Sequence, residues 1–303
     1  MVFFRRRKQV RTPRPDPAHV QVPYIPGKER DLPQSTAASG GGEDVQLSQF
    51  LLSPNPDNEI VSDLRSLDAL IRQHVENNYH LQPVQQSPKS LAQTLLALGF
   101  SDQSQGQRGP DDIARLAIDS RTRPVALQHI ITRVALKSST LSVGSGTELA
   151  SMLPPSVALF AQSVPATERH RGNAEAVSIA ITMWRQLSAF LLHPERSERT
   201  SLQFTEDGVA QQAQQLAREL NRFLHAFASR SSEQETHLRQ VLAECARFGY
   251  LLFSQRAEYR FNYDRAGREG GVIVVCPGLE RVSDGEGRKL SKPQVLAAPV
   301  EDA

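Results

Sequence analysis

Apolar residues recur at helical spacing through most of this chain and alternate only near its end. Ile60, Leu64, Leu67, Ile71 and Val75 step by four, three, four and four, which places all five on one helix face. Asn58 with Glu59, or Ser62, supplies its start and Pro83 its end. Ser87 before Pro88 opens a shorter helix to Leu98, with Gly99 past its end. A third helix is predicted from Asp111 through Ile118. A fourth begins at Pro124 with Leu127, Ile130, Ile131 and Val134 inward, and another follows Pro155. Ala174 to Leu192 predicts a long helix, with Val177, Ile181, Trp184, Leu187 and Leu191 as its inward stripe and Pro194 beyond it. Val209, Ala213, Leu216, Leu220, Phe223 and Phe227 form one stripe, with Thr205 as cap. Leu238, Val241, Leu242, Cys245, Phe248 and Leu252 form another. The short turn near Ser229–Ser232 makes these two an antiparallel pair.

After Ser254 the period shifts to two. Tyr259, Phe261 and Tyr263 alternate with Arg260, Asn262 and Asp264, and a Gly/Arg-rich turn leads to Val272–Val275, which reads as a β-hairpin. Pro277-Gly278 and Asp284-Gly285 mark turns, and Gln294 to Val300 reads as an edge strand. A lone hairpin is marginal in water, so these strands are expected to pack on the helices. Residues 1–42 have no amphipathic period. Six prolines and a Gly40-Gly41-Gly42 run read as an extended, disordered leader. The expected fold is mainly α: a disordered leader (1–42), an irregular helical bundle (43–256) and a small C-terminal β-hairpin or meander (257–303).

Charge divides the chain in the same place. Residues 1–30 hold eight Lys/Arg and two acids, a net +6, while the remaining 27 Lys/Arg face 31 acids, a net −4. An acidic body is a poor non-specific nucleic-acid binder, because that binding depends on neutralising phosphates, so no nucleic-acid partner is expected. The 303 residues include only two cysteines, Cys245 and Cys276, both in apolar surroundings. They read as buried reduced thiols suited to a reducing compartment.

Arg5, Arg6, Arg7, Lys8, Arg11 and Arg14 follow a short apolar stub, Val2–Phe4. The cluster fits contact with an anionic membrane surface, a nuclear localisation patch, or a solvated basic tail. Pro23, Pro26 and Lys28 form a PxxP core with a basic residue after it, the pattern of a polyproline II ligand for SH3-type domains.

Catalytic patterns are incomplete. His74-Val-Glu76 matches half of a zinc deaminase site, but the P-C-x-x-C half is missing. His74 and His80 lie six apart rather than four. Val143-Gly-Ser-Gly146-Thr lacks the lysine of a phosphate-binding loop, and His170-Arg171-Gly172 is not a kinase triplet. No catalytic residue, metal or cofactor is assigned. Convergence of His129, His193 or Glu195 in a deep pocket would favour an enzyme; an apolar groove or exposed aromatic patch would favour a partner-binding domain.

Ala69–His80, Thr122–His129, Leu191–Thr200, Phe248–Gln255 with Tyr259–Phe261, and Val274–Leu279 carry a resemblance over most of the chain. They resemble an uncharacterised family of filamentous-fungal proteins with no assigned activity. The resemblance implies the cytosolic helical domain of a single-pass membrane protein, behind a basic edge and a Pro-rich linker. This chain then starts inside what would be the span, through truncation or loss of the anchor. The expected function is a non-enzymatic cytosolic protein-interaction domain, the inner part of a membrane tether or surface sensor. The alternatives are an enzyme with an unrecognised site, in fungal secondary metabolism, and a nuclear regulator.

Overall fold

A computed structural model describes residues 47–101, 108–143, 150–165, 174–203, 205–264 and 273–302. The leader boundary at residue 42, Arg5 to Arg14, and the Pro23, Pro26 and Lys28 motif all lie outside the described residues. Among those described, eight α-helices precede five short strands. The helices are α1 (Asp57–Asn78), α2 (Pro88–Ala97), α3 (Pro110–Ile118), α4 (Arg123–Ser138), α5 (Pro155–Ser163), α6 (Ala174–Leu192), α7 (Glu206–Leu224) and α8 (Ser231–Ser254). The chain is mainly α with a small antiparallel strand set, as its periodicity predicts. None of the described helices is long and apolar enough to cross a membrane.

Helix α4 is the centre of the body. It was expected to bury one side, yet Gln128, His129, Thr132 and Ser138 are buried together with its apolar residues. Helices α1, α3 and α8 and strand β2 (Ile273–Cys276) surround it. The expected stripe of α1 is fully buried, and α7 packs along α8 with Val209, Leu216, Leu220 and Phe223 completely enclosed. Helix α1 stops at Asn78 rather than running toward Pro83, because Tyr79 turns extended and bridges to Ala228.

Two buried guanidiniums add polar ties between elements that also meet through the apolar core. Arg123 has no exposed surface and donates to the carbonyls of Ala117 (2.8 Å), Ile118 (2.8 Å), His80 (2.6 Å) and Gln82 (2.8 Å). Arg185, on α6, donates to the carbonyls of Phe253 (2.7 Å), Gln255, Arg256 (2.9 Å) and Ala257 (3.1 Å). These are carbonyls at and just past the end of α8, which lack intrahelical donors and carry the negative end of the helix dipole. A planar fork of five N–H groups can serve several of them at once.

The strands pair differently from the expected hairpin. Strand β1 (Tyr259–Asn262) pairs with β3 (Gly278–Ser283), which pairs with β4 (Lys289–Ala297); β2 pairs instead with β5 (Val300–Asp302). The reason is burial. All four residues of β2 are enclosed against α4, whereas β1 is partly exposed along its length. Strand β2 is held on α4 by its four buried residues, and β5 rather than β1 lies along it. The expected Pro277-Gly278 turn is a strand junction, where a side chain on Gly278 would meet Ala297 O at 2.8 Å. The Asp284-Gly285 turn is present, with Asp284 Oδ1 accepting from the amides of Glu286 and Arg288 at 2.9 Å. Pro293 is accommodated because β4 is an edge strand.

At Gly249 helix α8 crosses the end of α4 so closely that a Cβ would lie 2.2 Å from the Ser139 carbonyl oxygen. Gly249→Ala is expected to lower unfolding stability by about 1–3 kcal/mol, against the helix-propensity gain of the same change on an open face. Arg185→Lys is expected to lose on the order of 2 kcal/mol or more, because one ammonium leaves several buried carbonyls without a donor. Urea unfolding of the two variants and the parent measures both; an unchanged midpoint in either refutes the corresponding packing argument.

Candidate functional site

Helix α6 inverts the orientation its sequence predicts. Of the expected inward stripe, Val177, Ile181, Trp184 and Leu187 are only half-buried and Leu191 is 62% exposed. The enclosed face carries Thr182, Arg185, Gln186 and Ala189. Gln186 explains part of this, donating to the carbonyls of Arg256 and Gly285, each at 2.8 Å, beside the Arg185 clamp. Polar side chains hold α6 to the end of α8, and its apolar stripe is left at the edge of the body, with Val177 and Ile181 on a cavity wall and Leu191 exposed. There Trp184 stacks on Phe160 of α5 with ring centroids 3.9 Å apart, and Leu159 and Met183 remain exposed.

Beside α6 lies a cavity of about 490 Å³ whose walls include Val177, Ile181, Arg185, Leu252, Phe253 and Tyr259. A second, of about 570 Å³, opens between the end of α4 and the β1–β3–β4 sheet. Thr140, Leu141, Glu258, Tyr259 and Lys289 line both, so the two adjoin along one wall. Tyr259 is fixed in that wall by donating to Asp57 Oδ1 at 3.2 Å, and Asp57 in turn pairs with Arg281 at 3.2 Å. Burial, then the Asp57 carboxylate, pushes the Tyr259 phenol up to about 12.

The second cavity is rich in positive charge. Among the described residues, Arg133, Lys137, Arg260 and Lys289 line it against a single carboxylate, Glu258. Arg260 is compensated by Glu280 at 2.6 Å, whose other oxygen accepts from Asn262 at 2.9 Å. Lys137 and Lys289 have no ion pair among the described residues. Half-buried Lys137 has its pKa lowered by burial and then by the charge of Arg133. Arg133 itself lies over the rings of Phe100 (4.7 Å) and Tyr263 (5.7 Å). The Tyr263 hydroxyl is buried without a hydrogen-bond partner.

The residues weighed for catalysis do not converge. His129 is 5% exposed and holds the Val274 carbonyl at 2.6 Å; His193 organises the turn after α6, accepting from the Glu195 amide at 3.0 Å. Neither these histidines nor Glu195 line either cavity. His74 is fully enclosed rather than at the border of the core, while Glu76 points to solvent. Its Nδ1 lies 2.8 Å from His237 Nδ1 in a stacked pair, and its Nε2 lies 3.2 Å from the Tyr79 hydroxyl. No group of three or more His, Cys, Asp or Glu among the described residues is placed to hold a metal ion. Most of the Val143–Thr147 loop and the whole of His170–Gly172 lie outside the described residues. The cavity cations escaped sequence reading because lone lysines at 137 and 289 carry no local signal. No protein family, curated protein or solved structure matches the chain.

Two buried imidazoles make the fold acid-sensitive. Burial and then His237 drive His74 down to about 3. Burial, opposed by the Val274 hydrogen bond and aided by Arg133, drives His129 down to about 4. Unfolded, both bind protons near pH 6.5. Their contribution is therefore complete above that value and is lost as pH falls. Between about pH 6 and 4.5 stability falls with pH, by on the order of 2–3 kcal/mol per pH unit from this pair. Urea midpoints measured near pH 7.5 and near pH 5 are expected to differ clearly, and equal midpoints refute neutral burial. Cys245 and Cys276 are both free and buried, and burial pushes each thiol up to about 12. A thiol reagent at neutral pH is expected to modify them only as the chain unfolds; rapid reaction in the folded protein contradicts this.

Proposed function

We propose that this chain is a non-enzymatic protein-interaction domain, held near an anionic membrane surface by its basic leader. The observation that carries the reading is the inversion of α6. A helix that turns Arg185 and Gln186 inward, leaving Leu191 exposed and Trp184 and Leu187 half-buried, keeps an apolar edge for another chain. Its spacing suits a partner that presents an apolar helix face, because anchors separated by three and four residues interdigitate with a matching ridge. That none of His129, His193 and Glu195 lines either cavity supports binding over catalysis. Six positive charges between Arg5 and Arg14 supply the membrane attraction, on the order of 1 kcal/mol for each basic residue near an anionic leaflet.

The test places a photo-crosslinking residue at Met183 in the full chain, in its native cells. The reading expects one adduct that Leu191→Asp and Leu159→Asp abolish and that Leu81→Asp, at an unrelated exposed leucine, leaves intact. Leu191→Asp, at a surface position, is expected to alter stability by no more than about 0.5 kcal/mol, so loss of the adduct is not loss of the fold. An adduct indifferent to the α5 and α6 substitutions, or no discrete adduct, sinks the proposal.

A further inference from the structure

We infer that the cavity between the end of α4 and the β1–β3–β4 sheet is a binding site for a small organic anion with one phosphate or carboxylate group on an apolar body. Its volume, about 570 Å³, lies within the range of small-molecule sites. Lys137 and Lys289 reach it from a helix and an edge strand, and neither has an ion-pair partner among the described residues. Lys137 is also half-buried with Arg133 as a like-charged neighbour. Folding gains nothing from half-burying Lys137 beside a like charge with no ion-pair partner of its own, whereas an anion that meets both Lys137 and the exposed Lys289 at the cavity edge turns the arrangement favourable.

The remaining walls describe the rest of the ligand. Leu141, Phe261, Val282, Leu290 and Pro293 are apolar, and Tyr259 presents a ring whose hydroxyl is already committed to Asp57. The apolar part of the ligand lies against these, with the anionic end toward Lys137 and Lys289. Glu258 is the opposing charge in the cavity; it excludes ligands that carry anionic groups at both ends. This site adjoins the cavity beside α6 but does not depend on the α6 interaction reading. Substitutions at Leu159 and Leu191 leave it untouched.

Calorimetric titration of the full chain with phenyl phosphate, benzoate and inorganic phosphate at low salt tests the assignment. Saturable one-to-one binding of phenyl phosphate or benzoate is expected, weaker for inorganic phosphate, which lacks the apolar part. The tighter of the two aromatic probes identifies the anionic group. Lys137→Gln and Lys289→Gln are each expected to weaken binding about tenfold, in line with the loss of one charge-assisted contact. Glu258→Gln is expected to tighten it. Without ligand, Lys137→Gln is expected to melt higher than the parent, since it removes a charge facing Arg133. That readout separates a site residue from a structural one. Absence of saturable binding by either aromatic probe, or equal affinity in Lys137→Gln and the parent, overturns the assignment.

Discussion

The Arg185 clamp fixes more of this molecule than any apolar contact does. Helix α8 ends inside the body, and its last carbonyls would otherwise be enclosed without donors, each a loss of about 1–3 kcal/mol. One guanidinium meets the carbonyls of Phe253, Gln255, Arg256 and Ala257. Because that fork is planar and rooted in α6, it sets the rotation of α6 about its own axis. The outward stripe, the stacking of Trp184 on Phe160 and the wall of the adjoining cavity all follow from that rotation. Burial holds the Arg185 pKa down to about 10, well above neutrality, so the clamp keeps its charge. Arg123 plays the same part at the end of α3, which shows a repeated solution to helices that stop in the interior.

The same interaction explains where the hydrophobic pattern misleads. For α1 and α7 the stripe read from spacing is the stripe that is buried, and for α8 all of it but half-buried Leu252, since the polar groups buried on α1 and α8, such as His74 and Gln234, lie beside or within the stripe rather than opposite it. On α6 the pattern counts apolar area, and area loses to six carbonyl contacts, buried or partly buried, made by Arg185 and Gln186. The strands fail for a related reason. Alternation identifies β1 and a continuous apolar run identifies β2, but the pairing rule joined them by proximity. Enclosure against α4 separates them.

The site was less legible than the fold. Lys137, Glu258 and Lys289 stand far apart in sequence and acquire meaning only where the end of α4 meets the small sheet. Conversely, His74, His129 and His193 drew notice as reactive types, and the fold uses them for hydrogen bonds inside the body and at a turn. Their chemistry is neutralised by burial in two cases and spent on a backbone amide in the third.

Tyr259 has a mechanical consequence. It forms part of the wall shared by both cavities, and its hydroxyl holds Asp57, the first residue of α1. Asp57 stands just after the segment through which the chain arrives from its basic leader. Displacing the phenol therefore either drags the first turn of α1 or breaks its tether to the sheet. Movement of the phenol is in this way felt at the first turn of α1, so the shared wall of the two cavities and the start of the first helix are mechanically coupled.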